Sequence, residues 1–116
     1  GNYVASSYAW ATARDWGKFG LLYLHNGAWN GEELFTKEWV DYVTTPTPTS
    51  NGSYGAQFWL NTEKQLKDVS QNMYFADGYQ GQGVYILPDE DLVIVRFGLS
   101  WFEENEFLKG IIQSIQ

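Results

Sequence analysis

Two β-rich runs separated by Pro88-Asp89-Glu90-Asp91 constrain this chain more than any other feature. The run 83–87, Gly-Val-Tyr-Ile-Leu, and the run 92–97, Leu-Val-Ile-Val-Arg-Phe, are dominated by β-branched and aromatic residues, which fit a pleated surface. The Pro-Asp-Glu-Asp stretch between them carries turn chemistry, so the two runs are expected to pair as antiparallel neighbours. Near-continuous apolarity from Leu92 to Val95 predicts a strand buried on both faces. Two further strands are expected over 54–60, which is short and aromatic, and over 73–76, which is apolar.

Helical signals flank this sheet. Thr12-Ala13-Arg14-Asp15 has the Thr-x-x-acid spacing that satisfies free amides at a helix start. Trp16, Phe19, Leu22 and Tyr23 follow on one face, and Asn26-Gly27 supplies a left-handed stop, predicting a helix over 13–25. Asn30-Gly31 marks a tight turn, after which Thr36 can cap a second helix over 37–44 carrying Trp39, Val40 and Val43. Pro46, Pro48, Asn51 and Gly52 make 44–53 a surface loop. At the far end, Phe107, Leu108, Ile111, Ile112 and Ile115 form one stripe behind Glu103, Glu104 and Glu106, so a closing helix should lie on the sheet.

Composition narrows the function. With 116 residues the chain is expected to form a single domain, residues 1–116. Its net charge of −7 would repel a phosphate backbone, which argues against nucleic acid as a partner. No apolar run approaches the roughly 20 residues of a membrane span. Cysteine is absent and histidine occurs once, which excludes thiolate metal sites and leaves too few ligands for a histidine-rich zinc site. Aromatic residues make up 18% of the chain, enough for a dense core or a ring-lined cleft. Trp16, Phe19, Tyr23 and Trp39 fall on helical stripes and are expected in the core; Tyr8, Trp10, Trp29, Tyr79 and Trp101 remain as surface or cleft candidates.

Several candidate centres have simpler explanations. A Ser-His-Asp triad would need His25 with a serine such as Ser100 and an acid such as Asp15, yet His25 beside Asn26-Gly27 reads as a helix-terminal residue. Asp89, Glu90 and Asp91 could hold a hard cation but read better as a solvated turn. Gly78, Gly81 and Gly83 have the wrong order for a dinucleotide fingerprint. Asn51-Gly52-Ser53 matches a glycosylation acceptor, a motif too short to carry weight.

Longer patterns are more telling. The stretch Ala11-Thr12-Ala13-Arg14-Asp15-Trp16-Gly17-Lys18-Phe19-Gly20 resembles a segment of the serine β-lactamase-like hydrolases. That group includes class C β-lactamases, penicillin-binding DD-peptidases, family VIII esterases and 6-aminohexanoate-dimer hydrolases, and the resemblance is strongest to the last. Tyr74 to Gln82, with 84–88 and 92–98, resembles the third active-site strand and its hairpin partners, and 29–43 resembles the stretch after the helix. The likeness runs from about residue 5 to residue 112 and covers only the C-terminal part of a family member.

This resemblance implies a seryl-ester mechanism resting on a Ser-x-x-Lys helix, a Tyr-x-Asn or equivalent loop, and a Lys-Thr-Gly or His-Thr-Gly strand. Only the strand can be placed. Ser6, Ser7, Ser50, Ser53, Ser70, Ser100 and Ser114 all lack a lysine three residues on, so the chain alone should not be catalytic. By resemblance Tyr79, Gln80 and Gly81 take the places of Lys or His, Thr and Gly, and the backbone amide of Gln82 faces the acyl oxygen. Gly81 equally fits an ordinary bulge. Tyr79 brings no cation for a penicillin carboxylate, so small-molecule amides or esters are the expected substrates, with Ser6, Ser7 and Tyr8 lining the cleft. The setting implied is bacterial, whether periplasmic, secreted or cytoplasmic. The resemblance implies no metal and no organic cofactor.

The fold class expected is therefore α+β, with an antiparallel sheet of three or four strands, two N-terminal helices and a C-terminal helix. An unpaired sheet edge would favour a homo-oligomer. The rival reading is a non-catalytic module that binds carbohydrate or peptide through exposed rings.

Overall fold

A computed structural model of the chain describes residues 12–78, 82–97 and 102–116. Ser6, Ser7, Tyr8, Tyr79, Gln80, Gly81 and Ser100 lie outside them, as do Trp10 and Trp101. The fold is α+β: three helices, a two-stranded and a four-stranded antiparallel sheet.

Helix α1 spans Ala13–Leu24 and starts where its cap predicts, the Asp15 amide donating to Thr12 Oγ1 at 3.1 Å. It stops at His25, one residue short of the expected end, because Asn26 turns left-handed at φ 57°. The Asn30-Gly31 turn joins strands β1 (Ala28–Trp29) and β2 (Glu32–Glu33). Helix α2 (Lys37–Val43) is capped by Thr36 and by the Thr44 hydroxyl, which donates to the Val40 carbonyl at 2.8 Å.

The large sheet has the order β3 (Trp59–Leu60), β4 (Tyr74–Asp77), β5 (Gly83–Leu87), β6 (Leu92–Arg96). Residues 88–90 form a 3₁₀ turn and Asp91 is left-handed, which brings Leu87 opposite Leu92 and closes the expected hairpin. The expected strand over 54–60 is corrected. Only Trp59–Leu60 is strand, because the Ala56 amide donates to the Val43 carbonyl at 3.1 Å and the Gly55 amide to Phe58 at 2.9 Å. Those bonds fold the segment onto the end of α2 and drive Phe58 into the core.

Burial on both faces belongs to β5, all five of whose residues are buried, rather than to β6, where only Ile94 is. The reason is position: β6 is the outer strand among the described residues, whereas β5 is paired on both sides. On one face Tyr74 and Ile86 pack with Val40, Val43, Phe58 and Leu60, flanked by Phe19 and Tyr23 of α1. The other face buries Tyr85, Leu87 and Ile94 with Val69, Met73 and two residues of helix α3 (Glu104–Ser114), Leu108 and Ile112. The sheet is thus a middle layer. At the crossing of α1, a Cβ on Gly20 would stand 2.5 Å from Val93 Cγ1, so only glycine lets this helix lie so near.

Trp39, expected in the core, is 46% exposed and stacks on Tyr42 with ring centroids 5.6 Å apart; the stripe of α2 that is buried runs through Val40 and Val43. No helix among the described residues is long and apolar enough to cross a membrane.

Because Leu108 is fully buried and Ile115 is 52% exposed, Leu108→Ala should lower unfolding stability by about 2–5 kcal/mol. Ile115→Ala should stay within about 0.5 kcal/mol. Urea denaturation of both variants checks the assignment of the α3 face.

Candidate functional site

Of the residues that family resemblance singles out, Gln82 lies at one end of the large sheet. There β4 ends at Asp77 and β5 begins at Gly83, its Cα partner. The Gly78 amide donates to the Gln82 carbonyl at 2.7 Å, which closes the connection and pins Gln82 against the end of β4. Gln82 itself is half-buried. Of the expected site residues it is the one the structure describes, and its backbone enters the fully buried strand directly.

A polar cluster lies beneath this end on the α3 side, and sequence reasoning missed it. The Tyr85 side chain is fully buried, and its hydroxyl donates to Glu104 Oε2 at 2.5 Å. Its ring lies under Gly83, where an added Cβ would stand 3.0 Å from Tyr85 Cε2. A side chain at Gly83 would need the Tyr85 ring to give by a few tenths of an ångström. Asp77 and Arg96 flank Gly83 in register, and the Arg96 guanidinium lies 3.8 Å from the Phe102 ring centre. On sequence alone Glu104 reads as a first-turn acid facing the helix dipole and Tyr85 as apolar strand packing, and no spacing rule links them.

Electrostatics follow from burial. Desolvation raises the Glu104 carboxyl above its usual range against the lowering effect of the Tyr85 hydroxyl, and Asp77 and Glu103 raise it further. Asp77 is raised chiefly by burial, offset by the Gly78 amide. Burial first, then the bond to Glu104, holds the Tyr85 phenol protonated well above its ordinary range.

Two further contacts fix α3 and the loop beneath it. Asn105 Oδ1 accepts from the Asp68 amide at 3.0 Å while its Nδ2 donates to Asp68 Oδ2 at 2.8 Å. Buried Asn61 donates from Nδ2 to the carbonyls of Leu66, Val69 and Ser70, each at 3.1 Å, and accepts from the Leu66 amide at 2.9 Å. One amide side chain thus shapes the whole turn.

The other candidate centres resolve differently. The Asp89 carboxylate accepts from the Ser70 hydroxyl and, at 3.1 Å, from Asn72 Nδ2, tying the loop to the hairpin turn. Those bonds hold its carboxyl below the usual range. His25 is the exposed C-cap of α1, while Asp15 sits in the first turn. Ten residues along a helix separate them by about 15 Å, too far for one to orient the other.

No family model and no curated protein matches the sequence. Among solved structures, 25 chains match. One is a Bacillus anthracis protein provisionally named a 6-aminohexanoate-dimer hydrolase, with a TM-score of 0.66 and 26% sequence identity. The match covers 90% of this chain and 28% of that chain. It supports, loosely, a relationship of this α+β fold to the β-lactamase-like hydrolases.

Because the folded carboxyls of Glu104 and Asp77 are raised, the native state holds their protons more tightly than the unfolded chain. Their contribution is greatest below the unfolded values and is lost as pH rises through the folded ones. Glu104→Gln keeps an acceptor for Tyr85 and should gain stability relative to the parent as pH rises above the ordinary glutamate value of 4.5. Tyr85→Phe leaves Glu104 without its donor and should cost about 1–3 kcal/mol. Denaturation midpoints between pH 4 and 8 test both; a parent-to-Gln difference that ignores pH would contradict the account.

Proposed function

We infer that residues 1–116 form the C-terminal part of the α+β domain of a β-lactamase-like serine hydrolase, acting on small-molecule amides or esters through a seryl ester. The observation that carries this reading is the fold match over 90% of the chain, which joins a sequence likeness of the same extent. In the proposed reaction a serine hydroxyl from the remainder of the protein attacks the substrate carbonyl and loses its proton to a lysine. The tetrahedral oxyanion collapses and expels the amine or alcohol; water then hydrolyses the seryl ester. Tyr79, Gln80, Gly81 and Gln82 form one wall of the cleft and the Gln82 amide donates to the oxyanion. Ser6, Ser7 and Tyr8 line the entrance.

Supplied alone, the chain should not hydrolyse nitrocefin, p-nitrophenyl esters or linear amides, because no serine in it has a lysine three residues on. Fused to a family N-terminal part bearing Ser-x-x-Lys, it should gain turnover. In that fusion Gln82→Ala keeps the amide and should leave the rate within about tenfold, whereas Gln82→Pro removes the donor and should cost about 10²-fold or more. Thermal melting separates that loss from unfolding. Full turnover by a folded Gln82→Pro fusion would overturn the oxyanion assignment.

Self-association belongs to the same proposal. Strand β6 is the outer strand of the large sheet among the described residues, and such an edge templates pairing with a second copy. Light scattering should give a mass above 13.3 kDa at high micromolar concentration; a monomer throughout would contradict it.

A further inference from the structure

Among the described residues, strand β6 is paired with β5 alone, and a groove of about 620 Å³ lies between β6 and α1. The helix lends it Arg14, Gly17, Lys18 and Leu21, one stripe at steps of three and four residues. Trp29, Leu92 and Val93 complete its apolar wall, and Asp91 also borders it.

The direction of α1 fixes where the charges stand. A Cβ on Gly17 would lie 3.9 Å from Val95 Cγ2 and one on Gly20 2.5 Å from Val93 Cγ1, so the helix runs antiparallel to β6 over Val93 and Val95. Arg14, almost one turn before Gly17, therefore stands toward the far end of the strand, past Val95, whereas Asp91 precedes its first residue, Leu92. Neither the Arg14 nor the Asp91 side chain has a hydrogen bond or ion pair among the described residues. Lys18, beside Arg14 on the stripe, is held only loosely by Asp15 at 4.0 Å. The groove is thus positive at one end, negative at the other and apolar between, a pattern complementary to itself when turned end for end.

Self-complementarity of this kind is what a two-fold axis requires. Turned about an axis through Ile94 perpendicular to the sheet, a second β6 lies antiparallel to the first, with Val93 opposite Val95 of the other copy. Opposed residues share a face, so both α1 helices fall on the same side and the apolar walls of the two grooves meet. Asp91 of each copy then comes to the Arg14 end of the other. The remaining edge, β3, is only two residues long and offers little backbone to pair.

We propose that the groove between α1 and the β6 edge is the contact face of a two-fold dimer of this chain, with Asp91 of each copy set against Arg14 of the other. The proposal rests on the self-association inferred above and names its face; it uses no part of the hydrolase chemistry.

Sedimentation equilibrium of the chain at high micromolar concentration should give twice 13.3 kDa, with weaker association at high salt. Arg14→Glu sets like charges together at two symmetric points and should raise the dimer dissociation constant about tenfold. An acidic residue in the first turn of α1 suits the helix dipole, so this variant should stay folded. Adding Asp91→Lys restores opposite charges and should recover most of the lost association, thermal melting serving as the folding control. Independently, concentration-dependent amide shifts in NMR spectra of the parent should fall on residues 14–21 and 91–96. A monomer at every concentration would overturn the self-association and this face with it. A dimer that Arg14→Glu leaves unchanged, that the folded double variant fails to recover, or whose shifts fall on other surfaces would overturn the face alone.

Discussion

The enclosure of β5 between two apolar layers is the constraint on which the rest depends. Five consecutive buried residues can keep their backbone groups satisfied only with a strand on each side, and β4 and β6 supply them. Alternation then sends Val84 and Ile86 toward α1 and α2, and Tyr85 and Leu87 toward α3. Neither face could be left bare, so helices are needed on both. The approach of α1 at Gly20 and the docking of α3 through Leu108 and Ile112 are the two closures of that sandwich.

Polar contacts decide where those closures stop. Apolar packing holds α3 to the sheet without fixing its position along its own axis. The Tyr85–Glu104 bond fixes its first turn, and the reciprocal pair Asn105–Asp68 ties the next residue to the loop organised by Asn61. These bonds act in opposite senses with pH. Hydrogen bonding by Asn105 leads the lowering of Asp68, whose contribution is lost as pH falls, while burial raises Glu104, whose contribution is lost as pH rises. The helix is thus held best between the two titrations.

The two ends of β5 have different chemistry. At the Gly83 end, a buried phenol and a carboxylate lie beneath the first residue of the strand. At the Leu87 end, Asp89 of the hairpin turn fastens the neighbouring loop through Ser70 and Asn72. A five-residue strand places these ends roughly 15 Å apart. The chain spans 28% of the length of the solved structure it matches.

Local chemistry determined much of this before any tertiary contact. Thr12 and Thr36 cap their helices, Asn26-Gly27 ends the first, and Pro88 to Asp91 joins the last two strands, each through interactions a few residues long. The resemblance around Gln82 likewise rests on contiguous residues. Tertiary structure decided the rest. Residues 54–58 leave the extended path because Val43, distant in sequence, offers its carbonyl. Trp39 faces outward because Val40 and Val43 occupy the core side of a short helix. Tyr85 meets Glu104 only after α3 is packed on the sheet, and Asn61 gathers three carbonyls of its own following loop, whose path no regular period describes. Periodicity records which face of an element is apolar; it carries no information about which polar atom, on which other element, will be waiting at the end of that face.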